Sequence, residues 1–203
     1  NVVNIVLPTF GDPQIAGGLG AFDFQAAAKL FYQNFPDQFD SLAFVPVASA
    51  LGDYSAFHSN VKNAVAGIND AVFDQSAQYG SAGVLQGVEL YSGGFIAAND
   101  VSSHEFAHQW ANNFDWAKIA GITLAGHQPG VHSPLWATGE TMIGAVLFGN
   151  RRVASANGAF AIETTPVPVH YHPIEMYAMG LIGPTEVPNV TLFANQGQFS
   201  SGN

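Results

Sequence analysis

The five residues His104-Glu105-Phe106-Ala107-His108 constrain this 203-residue chain more tightly than any other stretch. On a helix of about 3.6 residues per turn, positions i and i+4 share a face. The spacing therefore predicts that His104 and His108 project side by side, with Glu105 leaning toward the same opening. Phe106, Trp110 and Phe114 follow at the same interval and form an apolar stripe. Phe106 is two residues from His104, about 200° around the axis. Such a helix is expected to bury its aromatics under a sheet and turn its histidines into a cleft. Two neutral imidazoles at this separation can grip one zinc ion, and the carboxylate beside them can take a proton from water. A plainer reading has Ser102 capping the helix and Glu105 completing a capping box. That accounts for Glu105 but not for two histidines one turn apart.

Composition narrows the chemistry. There is no cysteine, so disulfides and thiolate metal sites are excluded and any zinc must be held by His and carboxylate. Five Lys+Arg stand against 15 Asp+Glu, a formal net charge of −10. Nucleic acid and anionic membranes are poor partners for such a surface, because a phosphate backbone needs a basic patch. Hydrophobic residues make up 48% and charged residues 10%, a composition that builds a core. No apolar run reaches the roughly 18 residues of a transmembrane helix, so no membrane insertion is expected. Few lysines and many Asn, Gln, Ser and Gly suggest a secreted or otherwise extracytoplasmic protein. The opening "NVVNIVLPTF" has no Met and no basic region, and reads as the start of a trimmed or mature protein. The polar tail "VTLFANQGQFSSGN" suggests a chain that continues.

Patterning supplies the rest of the layout. "NVVNIVLPTF", "SLAFVPV" and "VLQGVELY" read as strands. "DFQAAAKLFYQNF" sets Ala27, Leu30, Phe31 and Phe35 at helical spacing and stops before Pro36. "GDYSAFHSNVKNAVAGIND" fits a strand pair with turns at Gly67 and Asn69–Asp70, and "WATGETMIGAVLFG" a second helix near the motif helix. The expected fold class is α/β, in the α+β sense. A mixed twisted sheet packs on the active-site helix in residues 1–116, and an irregular C-terminal subdomain, 117–203, completes one domain.

"HEFAHQW" resembles the active-site helix of the zincin metallopeptidases. Downstream, "YHPIEMYAMGLIGPTEVP" is similar to a Y-S-P-L-D-L-Y-L-M-G-L segment of bacterial zincin-like proteins that carry His-Glu-x-x-His-Arg/Gln-Trp. The resemblance spans about residues 100–187. It implies a zincin-like fold, one catalytic zinc held by His104 and His108, and Glu105 as general base. It further implies a peptide or protein substrate, extended along an edge strand by strand addition. Neither standard zincin pattern supplies the third ligand. A metzincin has a Gly and a third His soon after the second, where this chain has Gln109-Trp110-Ala111. A gluzincin places a Glu on a later helix, and Glu140 fits that only loosely. His132, before Ser133-Pro134 in the loop "GHQPGVHSPLW", is the preferred third ligand, with His127 and Glu140 as alternatives. Tyr171 matches the leading Tyr of the downstream segment and is a candidate oxyanion donor. Met179 is similar in context to the Met-containing turn of metzincins, or fills a core gap. The pair His170 and His172 is expected on one face of a strand, with Tyr171 on the other. The alternatives to a peptidase are a non-catalytic module with a structural metal and a zinc amidase acting on another acyl substrate.

Overall fold

In the computed structural model, residues 23–45, 56–91, 99–110, 113, 118, 121, 151–154, 160–163 and 171–189 are described. The chain divides into two compact units, Asn1–Ala66 with Ala71–Gln109, and Gly67–Asp70 with Trp110–Asn203. Helical and strand elements are mixed in an α+β arrangement with a small mixed sheet.

In the first unit, helix α1 (Phe24–Tyr32) begins where the Asp23 carboxylate accepts the N–H of Ala26. That side chain satisfies one of the donors a helix start leaves open. Strands β1 (Ser41–Phe44) and β2 (Ala56–Asn60) precede a short pair, β3 (Lys62–Asn63) and β4 (Phe73–Asp74). Gly67 and Asn69, between β3 and β4, both adopt positive φ, which matches the turn chemistry read there. A 3₁₀ turn (Ser76–Tyr79) leads to β5 (Gly87–Tyr91). The sheet order is β1-β5-β2, with β1 parallel and β2 antiparallel to β5.

Strand alternation gives this sheet two unlike faces. Leu42 is in register with Val88, and Phe57 with Leu90. Leu42 and Val88 join Ala28, Val61, Tyr79 and Leu85 in the core, with Phe24, Phe31 and Phe44 packed around them. Helix α1 covers this apolar face. The opposite face presents Ser41, Glu89, His58 and Asn60, with His58 in register with Glu89.

Helix α2 (Asn99–Ala107) lies against β2 and carries the motif. It starts three residues before Ser102, so Ser102 and Glu105 do not form a capping box. The expected burial is reversed here. Val101, His104, Glu105, Ala107 and Gln109 are buried, whereas Phe106 is 40% exposed. The reason lies in the sheet. The face opposite α1 is polar, so the helix meets it with side chains able to bond it. Trp110 is half-buried in the turn that ends the helix, and Phe114 lies outside the described residues.

The second unit contains the antiparallel pair β6 (Arg151–Ala154) and β7 (Phe160–Glu163), helix α3 (Pro173–Ala178) and a 3₁₀ turn (Pro184–Glu186). The Asn69 side chain donates to the Asn113 carbonyl, which ties the 67–70 turn to this unit. The segments "NVVNIVLPTF" and "WATGETMIGAVLFG" and the tail after residue 189 lie outside the described residues.

Candidate metal centre

Helix α2 tightens as it ends. The N–H groups of His108 and Gln109 donate to the carbonyls of Glu105 and Phe106, three residues back. Within this last turn the Nε2 atoms of His104 and His108 come to 3.1 Å from each other. Their rings lie 4.8 Å apart at 80°. Two nitrogens bound to a tetrahedral zinc at roughly 2.0–2.1 Å are separated by about 3.3 Å, so the pair nearly has the required span. Glu105 completes a group whose ligand atoms all lie within 4.8 Å of one another. The donors are neutral nitrogens and a carboxylate oxygen, a set suited to zinc.

Glu105 is buried, and burial pushes its carboxyl up from the ordinary 4.5 to about 7. The charge of His58 pulls it back, the neighbouring Glu89 carboxylate pushes it up further, and the backbone N–H of His58 lowers it. A carboxyl placed there is close to the range in which a general base works near neutral pH. A bound dication would lower it.

Of the residues singled out from the sequence, the structure brings together His104, Glu105 and His108. Tyr171 is half-buried in the second unit, directly before α3. His172 is not on a strand. It is the N-cap of α3, where its Nδ1 accepts the N–H of Ile174 and the Glu175 side chain accepts its own N–H. The segment that resembles the zincin-like proteins is thus, locally, a capped helix with Pro173 at its first position. It stops at Met179, followed by Gly180 in the left-handed region. His132, His127, Glu140 and His170 lie outside the described residues.

A second group of polar residues carries little signal in the sequence. His58 and Glu89 are almost fully buried, and His58 Nδ1 lies 3.2 Å from Glu89 Oε1. Ser41 Oγ donates to the other Glu89 oxygen. His58 Nε2 lies 2.7 Å from Asn60 Oδ1 and 3.1 Å from Gln109 Oε1. The signals available are small: a single Glu inside the apolar strand "GVELY", and a His at an alternating position of "AFHSN". No protein-family model, curated protein or solved structure matches the chain.

Proposed function

We propose that this chain is a zincin-like, zinc-dependent hydrolase, a metallopeptidase acting on peptide or protein substrates outside the cytoplasm. The observation that carries the reading is the convergence of two imidazole Nε2 atoms, 3.1 Å apart, beside a buried carboxylate one residue along the same helix. His104 and His108 hold the metal, and His132 is proposed as third ligand ahead of His127 and Glu140. Zinc, when bound, polarises the substrate carbonyl and lowers the pKa of water to about 7. Glu105 takes the proton as water attacks that carbonyl, then returns it to the leaving amine. Tyr171 is proposed as a donor to the developing oxyanion. An extended peptide would add along an edge strand of the sheet.

The test separates ligand from base. Glu105→Gln should keep about one zinc per chain and lose hydrolysis by about 10²–10⁴-fold, while His104→Ala should lose both. Elemental analysis and turnover of fluorescently labelled casein read the two effects. Full turnover in Glu105→Gln, or protein never exposed to chelator that holds no zinc and takes none up, would overturn the proposal.

A further inference from the structure

The buried residues behind α2 form a continuous path. Ser41 bonds Glu89, Glu89 meets His58, and His58 meets Asn60 and Gln109. The amide orientations are set by their outer bonds. Gln109 Nε2 donates to the Lys62 carbonyl at 2.8 Å, which leaves its Oε1 toward His58. Asn60 Nδ2 donates to the Gln109 carbonyl at 3.4 Å, which leaves its Oδ1 toward His58. The His58 ring is therefore surrounded by acceptors only: one carboxylate oxygen at Nδ1 and two amide oxygens at Nε2. Nε2 carries its hydrogen toward the two amide oxygens, and Nδ1 shares a hydrogen with Glu89 Oε1.

The same residue reaches the motif through its main chain, because the backbone N–H of His58 donates to the Glu105 carboxylate. The ring and the backbone of one residue thus bind two parts of the motif turn, Gln109 and Glu105. Gly87 on β5 makes room for this. A Cβ there would lie 2.6 Å from both Gln109 Oε1 and His58 Cε1. A buried ion pair is weak support for stability by itself, since an apolar pair of similar shape often does as well. Its use here is directional.

We infer that His58, locked by Glu89 and Gln109, is a positioning residue that fixes the Glu105 carboxylate toward the His104–His108 opening. The inference rests on reading Glu105 as the base. Loss of the lock leaves both metal ligands in place and lets the base drift. A displacement of about 1 Å at a reacting group lowers rate on the order of 100-fold with little effect on binding.

The experiment uses the full chain with Glu89→Gln, which keeps size but removes the carboxylate. His58→Gln is its partner, since it retains a donor near the Nε2 position. Zinc affinity, kcat and KM on labelled casein, and backbone amide exchange at residue 58 in the metal-free protein are measured well below each melting temperature. Expected are zinc affinity and KM within about threefold of the parent and kcat lower by about 10–100-fold. Exchange at residue 58 should be at least about tenfold faster. If either variant does not fold, Ser41→Ala is read in the same way, because it removes only the hydroxyl from Glu89. Parent-level kcat in the folded variants would overturn the inference. So would a fall in zinc affinity that accounts for the whole loss of rate. If the parent cleaves nothing, the hydrolase reading fails and exchange at residue 58 decides the positioning claim alone. Unchanged exchange in Glu89→Gln then overturns it.

Discussion

The two faces of the β1-β5-β2 sheet are built from alternate residues of the same strands, yet they are held by different forces. On the α1 side, Leu42, Val88, Ala28 and Leu85 form a packed apolar core. On the α2 side, Glu89, Glu105, Gln109 and His104 are buried polar residues, beside the apolar Val101 and Ala107 of the helix. Apolar packing is non-directional and tolerates exchange of shape for shape. A buried polar layer is favourable only when its donors and acceptors meet partners, so it fixes angles as well as contact. Strand period alone assigns one face to stability and the other to the motif. A sheet of three short strands can carry both, provided the polar face is closed by a helix of matching chemistry.

The largest separation between the faces should come from a cavity on the apolar side. Leu42→Ala removes a buried side chain from the core and is expected to cost about 2–5 kcal/mol of unfolding free energy. Urea unfolding measures this. Zinc stoichiometry and affinity of the protein that remains folded should match the parent, because Leu42 faces away from Glu89 and His58. A Leu42→Ala protein that folds normally but falls short of its parent in zinc affinity would break the division of labour between the faces.

How much of this architecture is legible in the sequence depends on the range of the interactions involved. Helix α1 is legible because its signals are local: Ala27 and Phe31 one turn apart, with Pro36 beyond. The β1 and β5 strands and the turns at Gly67 and Asn69 are legible for the same reason. His104, Glu105 and His108 are legible because their spacing matches the helix repeat. The buried face of α2 is not, since Phe106 and Trp110 are the more hydrophobic residues and burial follows hydrophobicity unless something competes. The competitor is non-local. His58 meets Glu89 across 31 positions and Gln109 across 51. Nothing in the local pattern of "AFHSN" or "GVELY" announces those partners. Burial of a polar side chain can be inferred only with both halves of its bond in view.

A second contrast lies in the response to pH. In the metal-free protein the Glu105 carboxyl is raised from 4.5 to about 7, first by burial and then by Glu89, against the opposing effects of His58. Its folded value lies above its unfolded value, so the native state binds more protons between the two. Stability from this group is therefore fully present below about pH 4.5 and is lost as pH rises through about 7. The loss is of the order of 3 kcal/mol at most, since a tenfold change in proton affinity is worth roughly 1.4 kcal/mol. Urea unfolding in chelator at a series of pH values should show this decline, and Glu105→Gln should flatten it. Leu42→Ala should lower the whole curve without changing its slope. A parent curve that rises from pH 4.5 to 7 by the amount expected to be lost would place the ionised carboxylate, and not the neutral acid, as the favoured folded form.

The finest test uses two glycines, one on each side. Gly80 ends the 3₁₀ turn before β5 with φ +83, and a Cβ there would lie 3.2 Å from the Lys29 Cα of α1. Gly87 has no such backbone demand, but its Cβ would lie 2.6 Å from Gln109 Oε1 and His58 Cε1. Alanine at either position should cost about 1–3 kcal/mol, at Gly80 through the left-handed backbone and crowding of α1, at Gly87 through crowding alone. Unfolding free energy should therefore not distinguish them well. Turnover should. Gly87→Ala pushes Gln109 and His58 away from β5, and both hold the turn that carries Glu105. Displacing the groups that position a base lowers rate with little effect on binding, so kcat on labelled casein should fall by about 10-fold while zinc affinity stays within about threefold of the parent. Gly80→Ala should turn over like the parent, since Lys29 lies on α1, across the sheet from the motif turn. If the two variants lose equal stability and both keep parent affinity and turnover, close packing at Gly87 serves the fold alone, and the polar face has no more bearing on the proposed metal centre than the apolar one.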